Sequence, residues 1–201
     1  MSQPWRLRRL LPIGLLLAGL TAEAVSAQAT GMPTFFAPTR GFASWEAGVS
    51  LSRPGGDRTS VEGRYAAALD RADIGLRGGY VEHGGGDGEL AAGVEVRVPV
   101  LGRSPTFPLD GALVLGAGRV FSSGGGDTIV PAGLTIGRRL VLDASAFHLT
   151  PYIQPTVVFA GDTSFTFGLG LDLHLRGIPD LRLAWARGDW DGFSVSAFWP
   201  R

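Results

Sequence analysis

The feature that most constrains this chain is a period of two, running from Gly41 almost to the last residue. In its first instance Ala43, Trp45, Ala47, Val49 and Leu51 alternate with Ser44, Glu46, Gly48 and Ser50. Residues two apart on an extended backbone share a face, whereas helical faces repeat every 3.6 residues, so the pattern predicts amphipathic strands. It recurs over 61–69, 72–80, 90–98, 109–117, 130–136, 153–159, 165–173, 181–185 and 193–199, giving about ten strands. Gly- and Asp-rich breaks at 53–57, 83–88, 122–127, 161–162 and 188–192 supply turns. They alternate with tighter or proline-bearing connections near Asp70 and at 99–108, 138–149 and 177–180. No helical pattern separates the strands, which argues for antiparallel neighbours and against a parallel α/β sheet. The stretch 140–149 reads either as an irregular connection or as part of a strand. An eight-stranded alternative, with two of the ten reassigned, therefore stays open.

Such a sheet can face either way. In a soluble barrel or sandwich the apolar parity points inward. In a membrane barrel it faces lipid and the polar parity lines the lumen. The polar parity decides between them: it is mostly Gly, Ala, Ser and Thr, small groups suited to a crowded interior. Its charges are mixed in sign within single strands, Glu62 with Arg64, Asp73 with Arg77 and Glu95 with Arg97, as buried charges that must be paired. Asp172 and His174 join them on the lumen parity, His174 with Arg176 or Arg182 as its expected partner. Trp45, Tyr80, Phe159, Phe165, Trp185, Phe193 and Trp199 lie on the apolar parity, mostly near strand ends, where interfacial girdles place them. Closure into a barrel satisfies every backbone group in lipid, which an open sheet cannot do. The expected fold is thus all-β, a closed antiparallel up-and-down transmembrane barrel over residues 42–199. Termini on one side require an even strand number.

The first residues carry an address. Arg6, Arg8 and Arg9 precede a short apolar run from Leu10 to Leu20, and small residues gather at 25–29. That is the architecture of a secretory signal peptide cut after Ala27 or Ala29, and the run is too short to span a bilayer as a helix. Residues 1–27 are assigned to the signal and 28–41 to an N-terminal lead-in containing Pro33, Phe35, Phe36 and Pro38. Whether this lead-in fills the lumen or hangs free is open at this level.

Composition removes several functions. The chain contains no Cys, so thiolate metal sites, disulfides and Cys nucleophiles are excluded. Its 18 basic residues, all Arg, balance 18 acidic ones, and no basic run follows the first ten residues, so no nucleic-acid partner is expected. Glycine stands at 31 of 201 residues, about twice the usual share, without a triplet period. His83 lies with Asp87 and Glu89 in a loop whose spacing matches no ordered metal motif, and His148 has no evident partner. Ser164 and Ser194 fall on the lumen parity, yet no Gly-x-Ser-x-Gly element or His-x-Ser element accompanies them. No catalytic residue, cofactor or metal is therefore assigned.

A signal segment, alternation across residues 42–199, Gly/Asp-rich loops and the aromatic last strand Phe193-Ser194-Val195-Ser196-Ala197-Phe198-Trp199 together resemble the small bacterial outer-membrane β-barrel proteins, porin-like or OmpA-type. The match departs at Pro200 and Arg201, which extend past the terminal aromatic residue. The resemblance implies an outer-membrane location, lipid as surroundings, a monomer, and assembly by the barrel-assembly machinery through the last strand. It implies no activity. The expected function is non-enzymatic: a structural protein or a narrow channel for small solutes, with Glu62, Arg64, Asp73, Arg77, Glu95, Arg97, Asp172 and His174 as lumen charges. The competing expectations are an outer-membrane lipid-modifying enzyme and a secreted soluble β-barrel binding a small apolar ligand.

Overall fold

A computed structural model describes residues 34–54, 58–83, 88–122, 128–143 and 147–201. The signal segment lies outside these residues, as does Asp87. Among the described residues eleven strands follow one another: β1 Trp45–Pro54, β2 Arg58–Ala68, β3 Asp73–His83, β4 Gly88–Leu101, β5 Asp110–Phe121, β6 Thr128–Gly137, β7 Leu140–Asp143, β8 Phe147–Ala160, β9 Asp162–Leu175, β10 Asp180–Gly188 and β11 Gly192–Pro200. Every pairing is antiparallel.

Ten of these form a closed barrel. Neighbours in sequence pair in turn, β6 pairs with β8, and β1 pairs with β11 to complete the ring. The eleventh, β7, is a continuation of β6. Gly137 opposes Tyr152 and Leu140 opposes Leu149 in one unbroken register, with Arg138 and Arg139 as a local interruption. The stretch 140–149 thus belongs to strands, and β8 begins at Phe147, ahead of the period-two pattern that starts at 153. The eight-stranded alternative does not hold, because every period-two segment takes a place in the ring.

Prolines mark where the ladder thins. Leu134 would oppose Pro155, and that pair drops out of the β6–β8 register. The β5–β6 pairing lapses in the same way opposite Pro131. Proline has no N–H to give, so each ladder loses a rung there. At the turns, Gly161 alone joins β8 to β9 with φ +80°, and Gly177 holds φ +86° between β9 and β10. Both conformations suit a residue without Cβ.

The two faces are as the alternation requires. Leu51 is 56% exposed and Leu90 65%, and Val49, Val61, Leu76, Leu113, Ile153 and Leu169 also point outward. Ser52, Ser60, Glu62, Arg64, Glu95, Thr135, Gln154 and Thr166 are buried inside. The outward aromatics gather at two levels. Tyr80, Phe121, Phe159, Phe165 and Phe193 stand near the loop end, and Trp45, Tyr65 and Trp199 near the terminal end, where β1 begins and β11 finishes. Trp45 and Tyr65 stack at 6.0 Å.

The start of β1 and the end of β11 are tied together. Pro200 pairs with Glu46, the carbonyl of Arg201 accepts from the N–H groups of Ala43, Ser44 and Trp45, and the Arg201 N–H donates to the Trp45 carbonyl at 2.7 Å. The two residues beyond the terminal aromatic therefore extend the closing seam.

Candidate functional site: an occluded lumen

The inner wall is built from residues that alternate with the outward apolar set, and its charges form networks between strands. On β2 and β3, Arg64 and Arg77 stand directly opposite each other, a like-charge pair that would repel if left alone. Carboxylates from neighbouring strands separate them. Arg64 donates to both Glu46 of β1 and Glu95 of β4. Arg77 grips Glu62 with two bonds of 2.7 Å and lies 3.8 Å from Glu95. Arg97 donates to Asp73 at 2.8 and 2.5 Å, and Arg182 holds Asp172 at 2.8 and 2.7 Å. These last two pairs are directly opposed cross-strand neighbours. The charges of one strand are therefore not each other's partners. Glu62 binds Arg77 rather than Arg64, Asp73 binds Arg97 rather than Arg77, and Glu95 serves Arg64 rather than Arg97. Glycines face two of these carboxylates, Gly79 opposite Glu62 and Gly75 opposite Glu95, so Glu62 can lean diagonally onto Arg77 and Glu95 can reach over β3 to Arg64 on β2.

His174 is also placed differently from expectation. It meets Asp180 at 2.7 Å and stacks on His148 with ring centres 5.5 Å apart, while Arg182 is committed to Asp172. His148 and His174 are directly opposed across β8 and β9, so the β8 extension that brings them together was also what hid the pair from the sequence. His83 lies 3.9 Å from Glu89 at the loop end, and no group of three metal-ligating side chains is assembled among the described residues. Ser164 accepts a bond from the Trp190 indole at 2.6 Å, and Ser194 lines the lumen.

The N-terminal lead-in enters this lumen. Residues 34–40 run from mid-barrel to the terminal end, and Phe35, Phe36, Ala37 and Pro38 are buried. The neutral wall of β6 and β8 holds the strap's backbone. Phe36 N–H donates to Gln154 Oε1 at 3.0 Å, Gln154 Nε2 donates to the Thr34 carbonyl at 2.7 Å, Tyr152 donates to the Phe35 carbonyl at 3.2 Å, and Thr135 donates to the Phe36 carbonyl. From the charged wall, Arg97 donates to the Ala37 carbonyl at 2.8 Å and Arg77 to the Thr34 hydroxyl. Arg40 reaches Asp73 at 3.0 Å and the Leu69 carbonyl at 3.0 Å.

Phe36 sits at the centre. Its ring, 2% exposed, is faced by three guanidinium groups, Arg64 at 4.5 Å, Arg182 at 5.1 Å and Arg97 at 5.8 Å. Phe198 of β11 points inward beside it, 4.5 Å from Arg182 and 5.7 Å from Arg64. Guanidinium over an aromatic face is attractive, and more so away from water. Phe36, Phe198 and Arg182 form a septum. The open space on its loop side is lined by Ser50, Ser52, Ser194 and Ser196, and that on its terminal side by His148, Thr150, Asp172 and His174.

Lumen glycines make room for this packing. A Cβ at Gly168 would collide with the Phe35 ring, one at Gly170 with the Tyr152 ring, and one at Gly48 with Phe198. Sequence reasoning missed Phe198 as a lumen residue and left open whether the strap fills the lumen. Phe198 carried a signal: it lies on the parity of Ser194 and Ser196, where a large ring is out of place unless something small faces it.

No protein-family model matches this chain, and no curated protein matches it. Among solved structures, the crystal structure of the beta domain of the Bordetella autotransporter Brka is similar over 77% of this chain and 97% of that one, at 17% identity and a TM-score of 0.46. The fold and the interior define a ten-stranded antiparallel barrel whose lumen is filled by its own N-terminal segment.

Proposed function

We propose that this chain is a non-enzymatic bacterial outer-membrane β-barrel protein, monomeric, with a structural role, and a narrow channel only when the strap leaves the lumen. One observation carries the reading: on a sheet without free edges, the large apolar side chains face out and ion-paired arginines face in. Water outside would make that polarity very unfavourable, since soluble monomers rarely show contiguous apolar patches beyond a few hundred Å². Lipid outside makes it the stable arrangement. This also speaks against a secreted soluble barrel. Among the described residues the lumen's histidine–carboxylate pair, His174 with Asp180, has no serine hydrogen-bonded to it, which leaves the lipid-modifying alternative without support. On this reading the terminal end faces the periplasm and the last strand engages the assembly machinery.

The test is fractionation followed by electrophoresis. Expressed with its leader in a Gram-negative host, the protein should remain with the outer membrane after a urea wash and should migrate faster unheated than boiled. Recovery in the soluble periplasm would overturn the membrane reading. In planar bilayers the folded full chain should show no steady conductance; a stable open pore would show that the strap does not occlude it.

A further inference from the structure

At the terminal end Arg71, Arg138, Arg176 and Arg201 are exposed, with Asp70 beside Arg71. At the terminal end, beside the closing seam, an open groove runs between the β9–β10 turn and the end of β11. Trp45, Trp199, Ile178, Pro179, Arg176 and Arg201 are among the residues that line it. Trp199 and Ile178 are half or more exposed, so they present apolar surface to whatever surrounds the barrel. The Arg201 guanidinium lies 5.9 Å from the Trp45 ring centre, and neither it nor Arg176 forms an ion pair with a side chain among the described residues. Asp180, the acidic side chain lining the groove, is met by His174 at 2.7 Å.

Two uncommitted guanidinium groups beside two outward indoles, at the level of an aromatic girdle, match a particular chemistry. Arginine forks take phosphate oxygens, and indoles settle where acyl chains meet headgroups. We propose that this groove binds the headgroup of an anionic phospholipid of the surrounding leaflet, its phosphate on Arg176 and Arg201 and its acyl chains along Ile178 and the outward strand faces. This rests on the membrane reading above. The site would favour anionic over zwitterionic lipid at this one position of the barrel's circumference.

Native mass spectrometry of the folded full chain, released from nanodiscs of equimolar phosphatidylcholine and phosphatidylglycerol, tests it. The lipid retained on the protein should be enriched in phosphatidylglycerol by about fivefold to thirtyfold, the range set by one or two arginines acting at a bilayer surface. The Arg176→Gln/Arg201→Gln variant should retain lipid at the bulk ratio. Arg176→Lys/Arg201→Lys should keep part of the enrichment, and Arg53→Gln/Arg187→Gln at the loop end should keep all of it. Inorganic phosphate in the buffer should leave the enrichment unchanged; its loss there would mark a free-anion site and overturn the lipid assignment. Bulk composition on the unaltered protein, or full enrichment on the glutamine variant, would overturn it too. Failure to enter the nanodisc bilayer would instead sink the membrane reading itself.

Discussion

Phe36 shows most clearly how single residues set the state of the lumen. Its ring fills the space between Arg64, Arg97 and Arg182, three cations that already have carboxylate partners and need no further charge. Removing the ring by Phe36→Ala should leave the barrel folded, since neither the strand pairing nor the ion pairs of the wall involve it, but weaken strap docking by about 3–5 kcal/mol, the usual cost of emptying an aromatic site. Brief conducting events in bilayer recordings, absent from the parent protein, are the expected outcome; silent recordings would mean that the backbone bonds of the strap suffice. Gly168 offers a complementary experiment. A methyl group there meets the Phe35 ring of the strap, whereas one at Gly170 meets Tyr152 of the wall. Gly168→Ala should therefore loosen the strap with little change in barrel stability. Gly170→Ala should lower the temperature at which the compact electrophoretic form is lost, by the roughly 1–3 kcal/mol of overpacking. Equal thermal shifts for the two would refute the distinction.

Among the elements, the strap and the closing seam do separate work. The strap brings Arg40 to Asp73, adding a fifth arginine to a wall where Arg64, Arg77, Arg97 and Arg182 oppose Glu46, Glu62, Asp73, Glu95 and Asp172. Deleting residues 34–40 leaves that wall one negative charge in excess. The pore so opened should conduct and should prefer cations, read as the sign of the reversal potential in a salt gradient. Anion preference would show that the arginines, not the carboxylates, control the field. At the seam, the Arg201 carbonyl accepts three N–H groups. Removing Pro200 and Arg201 leaves those donors to water at the rim, at a net loss of about 1 kcal/mol per bond. The trimmed protein should unfold at a lower temperature, by heat-modifiable migration, than the full chain.

For the whole molecule, the alternation of residues was enough to mark out about ten segments, with a count of eight still open, and the face each presents, because a period of two leaves only one way to sort apolar from polar side chains. The strand limits at 140–149 were not legible. Arg138 and Arg139 break the pattern there, and only the shared register with β8 shows that β6 and β7 are one strand. The lumen charges could be named from parity, but their partners could not. Pairing across a barrel depends on strand stagger, which places Glu95 between Arg64 and Arg77 although all three lie on different strands.

What the sequence determined by itself is the barrel as a polarity: apolar parity outward, small and charged parity inward, aromatic residues near the ends. That is a local property, fixed by which residues sit two apart. What only the tertiary structure decided is what the interior holds. Residues 34–40 carry no periodicity, and Phe35, Phe36 and Pro38 read equally well as a free segment. Their place in the lumen follows from groups far apart in the chain, such as Gln154 and Thr135 meeting the backbone of Phe36, and Gly168 leaving room for Phe35. Those groups converge only once the ring has closed.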